Sequence, residues 1–244
     1  MTSSRLLITL CTYNERENLA DLIAEIHQVM PDADLLVIDD NSPDGTGRLA
    51  DELAATNSRL RVLHREGKLG LGTATLAGFR DAIEHAYEFV LNMDADFSHH
   101  PRYLPALAQA MNAADVAIGS RYVLGGGVRG WGALRHFMSG GINWYARLML
   151  GLKTRDNSGA FRCYRVEKLR EVPLDRVRAR GYAFQEEILY RLKHVGCRFA
   201  EVPIVFEDRR HGTSKINGRE AAVALWVILR LGIENWFGSQ GTRG

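Results

Sequence analysis

Residues Leu6 to Leu10 are apolar but for Thr9, and after a polar interval the apolar positions return at Leu19, Leu22, Ile23, Ile26 and Met30. The first pattern predicts a buried strand, and the second, with its i, i+3, i+4, i+7 rhythm, a helix with one apolar stripe. Asn14 and Glu17 have the spacing of a capping box at the start of that helix. Further strands are predicted at Leu35–Asp39, Leu60–His64 and Glu88–Met93, each running into a polar or Gly-rich loop, NSPDGTG after the second and EGKLGLG after the third. Strands alternating with helices in this way predict an α/β fold with a mostly parallel central sheet flanked by helices. In such a sheet the ligand crevice lies beyond the carboxyl ends of the strands, so Thr12–Glu15, Asp39–Asp44, Lys68–Gly72 and Asp94–Asp96 are expected along one rim.

The second half is less regular. It predicts a strand at Val116–Ser120, a Gly-rich loop, a helix near Leu134–Leu150, a strand near Ala160–Tyr164, a helix near Phe184–His194 and a strand at Arg198–Phe206. A last amphipathic helix, 217–237, carries Ala222, Leu225, Trp226, Leu229, Ile233 and Trp236 on one stripe, which suits either packing on the sheet or a lipid surface. With no internal repeat and no linker, the expected organisation is one domain over residues 1–238 and a flexible tail over 239–244.

Composition narrows the classes. The 244 residues, 46% apolar and 25% charged, suffice for a large core and exclude a disordered chain. Cys11, Cys163 and Cys197 are odd in number and far apart, so no disulfide framework or zinc site is indicated and a reducing cytosol fits. No stretch reaches the roughly 18 apolar residues of a spanning helix. The net charge of +2 is unevenly spread: between Asp115 and Asp156 there is no acid, while Arg121, Arg129, Arg135, Arg147, Lys153 and Arg155 all fall there. That segment reads as a solvated surface or as a site for phosphate or a lipid headgroup, and nucleic acid is not expected.

The chemistry concentrates in DADFSHHP, residues 94–101. Asp94 and Asp96, one residue apart at a strand end, either are solvated or converge on a hard divalent ion. With Asp39 and Asp40 on the neighbouring loop they suit a nucleotide diphosphate held through a metal, and DRRHGTSKI (208–216) gathers the cations to clamp its other side. His99 and His100 are more readily loop residues than ligands, and Gln185, Glu186 and Glu187 could supply an acid to the site, although at least two of them are expected on a helix surface.

Six blocks, CTYNERENL (11–19), VIDDNSPDGTG (37–47), GKLGLGTA (67–74), DADFSHHP (94–101), GSRY (119–122) and RRHGTSK (209–215), resemble in order the dolichyl or polyprenyl phosphate mannosyltransferases, inverting GT-A glycosyltransferases of family 2. The resemblance implies a GT-A nucleotide-diphospho-sugar transferase fold, GDP-mannose as donor, a membrane polyprenyl or dolichyl phosphate as acceptor, and Mg²⁺ or Mn²⁺ as cofactor. Carried over block by block, it assigns the donor to Cys11, Tyr13, Glu15, Ile38, Asp40, Lys68, Asp94, Ala95, Asp96, Arg121, Arg209 and Lys215. Metal and diphosphate fall to Asp94 and Asp96, catalysis to these two with Arg121, and the acceptor phosphate to Arg135 and Ser139. Cys11 stands where the family usually has proline, a departure at the base contact. The expected location is the cytoplasmic face of a membrane, peripherally bound, with room for a separate membrane-anchor subunit.

The chemistry needs no protein base. A phosphate monoester has a second pKa near ~6 and is largely dianionic at neutral pH, so it can attack the anomeric carbon directly, inverting it, while metal and cations stabilise the leaving diphosphate. Two alternatives stand beside this reading: a UDP-glucose-dependent polyprenyl phosphate glucosyltransferase, and a catalytically silent sugar-nucleotide-binding subunit.

Overall fold

The structure is a computed structural model describing residues 5–181, 183–208 and 218–237. In chain order its elements are β1 (Leu6–Thr12), α1 (Arg16–Val29), β2 (Asp34–Asp39), α2 (Thr46–Ala54), β3 (Leu60–His64), α3 (Leu71–Glu84), β4 (Phe89–Asp94), α4 (Leu104–Ala110), β5 (Val116–Ser120), β6 (Gly127–Arg129), α5 (Ala133–Leu150), β7 (Arg162–Arg165), α6 (Val166–Glu171), α7 (Phe184–His194), β8 (Phe199–Pro203), β9 (Val205–Glu207) and α8 (Gly218–Phe237). Seven strands form one sheet in the order β3-β2-β1-β4-β7-β5-β8, parallel except for β7, which runs antiparallel to both β4 and β5.

Alternation along the strands divides the core in two. Leu7, Leu36, Ile38, Val90, Ile118 and Tyr164 face one side, under α3, α7 and α8, while Ile8, Leu10, Leu35, Val37, Leu91 and Cys163 face the other, under α1 and α4. Both sheet faces are covered, so the ends of the strands are the place left for a ligand. Register pairs Cys11 with Ile38 and with Asp94, and Thr12 with Asp39, bringing three loops to one rim.

Within these elements the structure departs from the sequence reading at two places. The predicted Arg198–Phe206 strand is two: Pro203 ends β8, and β9 leaves the main sheet to pair with the short β6 inside the Gly-rich loop. Asn14 does not cap α1; it takes a left-handed φ of +61°, which asparagine tolerates, and the Glu15 and Arg16 N–H groups donate instead to Thr46 Oγ1 (3.0 Å) and Asp44 Oδ2 (3.2 Å). In the GKLGLG loop, a Cβ at Gly70 (φ +99°) would stand 2.6 Å from the Arg180 carbonyl oxygen and one at Gly72 2.7 Å from the Phe184 Cβ. Those glycines let the start of α3 approach the segment before α7.

Candidate active site

At the end of β4 the Asp94 N–H donates to His99 Nδ1 at 3.1 Å. The imidazole is thereby an acceptor at Nδ1, stacked on Phe161 (centroids 4.9 Å apart) and met edge-on by Phe206 (5.5 Å). Burial drives its pKa down to about 4, with Asp96 opposing and Arg121 adding to the fall. His99 is therefore a neutral prop of the acidic loop. His100 likewise serves the backbone, accepting the Arg102 N–H at 3.3 Å.

Asp96 follows in a turn in which Phe97 adopts a φ of +63° and the Asp96 Oδ1 accepts Ser98 N–H (3.1 Å) and Ser98 Oγ–H (2.5 Å). These bonds fix the buried carboxylate behind the more open Asp94. Among the described residues no cluster of three or more acidic, His or Cys ligands exists. A pair of carboxylates with oxygen donors only fits Mg²⁺ or Mn²⁺, whose other positions are taken by phosphate oxygens and water.

Across the rim, Asp39 ties loops together by accepting from Thr12 Oγ1 (2.9 Å) and from the Ser42 N–H (3.0 Å). Asp40 accepts from Arg65 Nη1 (2.7 Å) and the Leu69 N–H (3.2 Å), and burial raises its pKa against the pull of Arg65. Lys68 Nζ stands 4.3 Å from the centre of the Tyr13 ring, so these two donor candidates share one wall. Glu15 Oε2 accepts Asn18 Nδ2 at 3.0 Å. Ile38 lies wholly in the core, so it can offer a nucleoside only its main chain, and Ala95 is buried in the core on the other face of the sheet, at the acidic loop's base. The Cys11 thiol is pushed up to about 12 by burial and by Asp94, so it stays protonated at neutral pH.

Arg121 follows β5 and is locked to Asp156, Nε to Oδ2 and Nη2 to Oδ1 both at 2.7 Å, with Ser158 Oγ at 2.9 Å from Nη2. Burial works to lower its pKa, but Asp156 outweighs it and the net value is raised, with a smaller share from Asp94 that puts the guanidinium in the field of the acidic loop as well. Asp156 also accepts the Arg121 and Gly159 N–H groups, at 2.9 and 3.1 Å. Sequence reasoning passed over Asp156; the signal was its place as the acid closing the basic segment, in the turn-forming run DNSG.

The same loop anchors α5. Asn143 Oδ1 accepts the Asn157 N–H at 2.6 Å, its Nδ2 reaches Ser158 Oγ at 3.2 Å, and one turn earlier Ser139 Oγ accepts the Tyr122 hydroxyl at 2.7 Å. Arg135 stacks on Trp131 (4.1 Å) and pairs with Asp208 at 3.4 Å, and Arg121 faces the same indole at 5.4 Å. Arg121 and Arg135 thus form one cationic wall around Trp131, next to the acidic loop, with Ser139 one helical turn from Arg135 against Tyr122. Arg209 and Lys215 lie outside the described residues.

The expectation for α7 is corrected. Gln185, Glu186 and Glu187 are all buried, because α7 enters the sheet's covering layer with its first turn inward. Glu187 accepts the Arg178 and Ala179 N–H groups, at 3.0 and 2.8 Å, and pairs with Arg191, so it organises the preceding loop.

An acidic strand-end pair beside a cationic wall, on a mostly parallel sheet with covered faces, defines a GT-A sugar-nucleotide transferase fold, and solved structures agree. Glucosyl-3-phosphoglycerate synthase from Mycobacterium tuberculosis, in complex with Mn²⁺, uridine diphosphate and glucosyl-3-phosphoglycerate, superposes with a TM-score of 0.66 at 19% identity, covering 96% of this chain and 80% of that one. A mannosyltransferase from Pyrobaculum calidifontis, in complex with GDP-Man and Mn²⁺, gives 0.56 at 14% identity, covering 98% and 76%. Residues 7–173 match glycosyl transferase family 2, and the chain belongs to that family. It is 44% identical over 233 residues to the polyprenol monophosphomannose synthase of Mycolicibacterium smegmatis, covering 95% of this chain and 88% of the relative. It is 41% identical over 241 residues to the undecaprenyl-phosphate mannosyltransferase of Micrococcus luteus, covering 98% and 99%.

Proposed function

We propose that the chain transfers mannose from GDP-mannose to the phosphate of a polyprenol at a membrane surface, inverting the anomeric carbon. The observation that carries this is the adjacency of two opposite charge sets, Asp94 and Asp96 on one loop and Arg121 and Arg135 around Trp131. One set suits a metal-held diphosphate and the other a phosphate monoester, the two groups that must meet in such a transfer. Both full-length relatives are named for mannose transfer to a polyprenol, and the Pyrobaculum mannosyltransferase binds GDP-Man with Mn²⁺.

Asp94 and Asp96 would hold Mg²⁺ or Mn²⁺, which would supply positive charge to the departing diphosphate. Tyr13, Lys68 and Asp40 line the nucleoside end, and Arg135 with Ser139 orients the acceptor phosphate, whose own dianion is the nucleophile. Arg121 adds a fixed cation between them, preorganised by Asp156 so that little reorganisation is needed during the reaction.

No helix among the described residues is long and apolar enough to cross a membrane. Yet α5 presents Leu134, Phe137, Met138, Trp144 and Leu148 outward, and α8 presents Leu225, Trp226, Leu229, Ile233 and Trp236. The two helices pack closely, since a Cβ on Gly232 would stand 2.6 Å from the Met149 Cε. We read this joint apolar face, which carries Arg135 on one of its helices, as the surface that meets the bilayer holding the acceptor.

The test offers labelled GDP-mannose, UDP-glucose and UDP-N-acetylglucosamine with polyprenyl phosphate, with Mn²⁺ or EDTA, followed by solvent extraction. Label in the organic phase from GDP-mannose alone, and only with metal, is expected. Transfer from UDP-glucose, or nucleotide binding without transfer, overturns the reading.

A further inference from the structure

The departure of β9 from the main sheet has its effect at the active site. Its register with β6 sets Phe206 opposite Val128, and the Glu207 N–H donates to the Ser98 carbonyl of the acidic loop at 3.4 Å. Phe206, 9% exposed, stands between two rings. On one side it meets His99 edge-on at 5.5 Å, and His99 accepts the Asp94 N–H. On the other it meets Trp131 at 5.4 Å, with the ring planes 64° apart. Both are the edge-to-face arrangements that aromatic pairs prefer.

Arg135 completes the row. Its guanidinium stands 4.1 Å from the centre of the Trp131 ring. A ring face beneath a guanidinium fixes its place without neutralising its charge, which stays available for a phosphate. The acid partner is the weaker restraint: Asp208 lies 3.4 Å away and its side chain is 42% exposed, and ion pairs so open to water contribute little. Trp131 Nε1 has no hydrogen-bond partner among the described residues, so the indole offers Arg135 its ring and not its N–H. Arg121 differs, since Asp156 locks it whatever the rings do. The row thus joins the loop assigned to the donor diphosphate, through His99, Phe206 and Trp131, to the cation assigned to the acceptor phosphate.

We propose that Trp131 and Phe206 are positioning residues for the transfer, acting through Arg135 to fix where the acceptor phosphate stands relative to the acidic loop. This rests on the reading of the site given above and adds the means by which its two substrates are aligned. Attack requires the reacting atoms about 3–3.5 Å apart and in line, and a misplacement of roughly 1 Å can cost about 100-fold in rate.

The experiment places Trp131→Leu, Trp131→Phe and Phe206→Leu in the wild-type and Arg135→Met backgrounds. Transfer from GDP-mannose to a short, soluble polyprenyl phosphate is followed at varied acceptor concentration, with GDP affinity from calorimetry and the melting temperature beside it. Trp131→Leu and Phe206→Leu should each lose roughly 10-fold or more in kcat/KM for the acceptor, with GDP bound within about 2-fold of wild type. Trp131→Phe keeps a ring beneath the guanidinium and should stay within about 3-fold of wild type. Once Arg135 is methionine, each leucine substitution should cost no more than about 2-fold further, because the side chain it acts through is gone. Unchanged acceptor kinetics in Trp131→Leu overturns the proposal, as do losses that multiply in full with that of Arg135→Met. Falls in GDP affinity and melting temperature that track transfer through the series overturn it too, since they mark a purely structural role. A wild type inactive towards polyprenyl phosphate overturns the proposed function and this proposal together, whereas an active wild type with multiplying losses overturns this proposal alone.

Discussion

Replacing Asp156 by leucine tests the buried pair on which the cationic wall is built. The Asp156 side chain is wholly buried and that of Arg121 is 8% exposed, so the substitution preserves volume while leaving a guanidinium without its counter-charge. Breaking such a pair from one side costs about 3–5 kcal/mol, which for a chain of this size lowers the melting temperature by roughly 6–20 °C. Two backbone donors, the Arg121 and Gly159 N–H groups, also lose their acceptor. The companion Arg121→Met removes the orphaned cation. The double variant should then be more stable than Asp156→Leu alone, although below wild type because the two N–H groups stay unsatisfied. The pH dependence has a definite sign. Burial works to raise the Asp156 pKa, but Arg121 outweighs it and the net value is lowered. A depressed carboxylate stabilises the fold above its ordinary pKa and loses that contribution as pH falls through the folded value, so the gap between wild type and Asp156→Leu should close in acid. Thermal melts of the four proteins from neutral to acid pH read all of this. A double variant no more stable than Asp156→Leu, or a gap that widens in acid, refutes the argument.

Three further outcomes are expected. Asp96→Asn should abolish Mn²⁺-dependent transfer and leave the melting temperature within a few degrees of wild type, since the Ser98 contacts can persist; full turnover in that variant or in EDTA counts against the metal assignment. Glu186→Gln should flatten the pH dependence of stability: with its pKa raised from an ordinary 4.5 to about 7, the native acid holds a proton the unfolded chain releases, so wild type loses about 3 kcal/mol between those values as pH rises, and urea titrations at pH 5 and 8 should show the variant without that loss. Phe137→Ser with Trp144→Ser, on the outward face of α5, should weaken liposome binding and transfer to long-chain polyprenyl phosphate while sparing a short soluble acceptor; equal loss with both acceptors would make the face structural.

The elements of the first half follow from local pattern. Strand runs of five to seven residues and the stripe of α1 specify their own type, and the crossover rule for parallel sheets sends their loops to one rim, so Asp40, Lys68 and Asp94 come together as expected. What depends on distant partners was not legible. The antiparallel insertion of β7 between β4 and β5, and the departure of β9 to join β6, are choices of partner that hydrophobic alternation does not encode. The stripe on α8 illustrates the same limit: periodicity requires that Leu225, Trp226, Leu229 and Ile233 share a face, but only packing turns Ala224, Val227, Ile228 and Leu231 inward and leaves that stripe exposed. Acids show it most sharply. Glu186 and Glu187 read alike along the chain, yet one lies buried with an unpaired oxygen and a raised pKa while the other is saturated by Arg178, Ala179 and Arg191. Solvation and partners, which set a carboxyl's charge and role, exist only once the chain has folded around it.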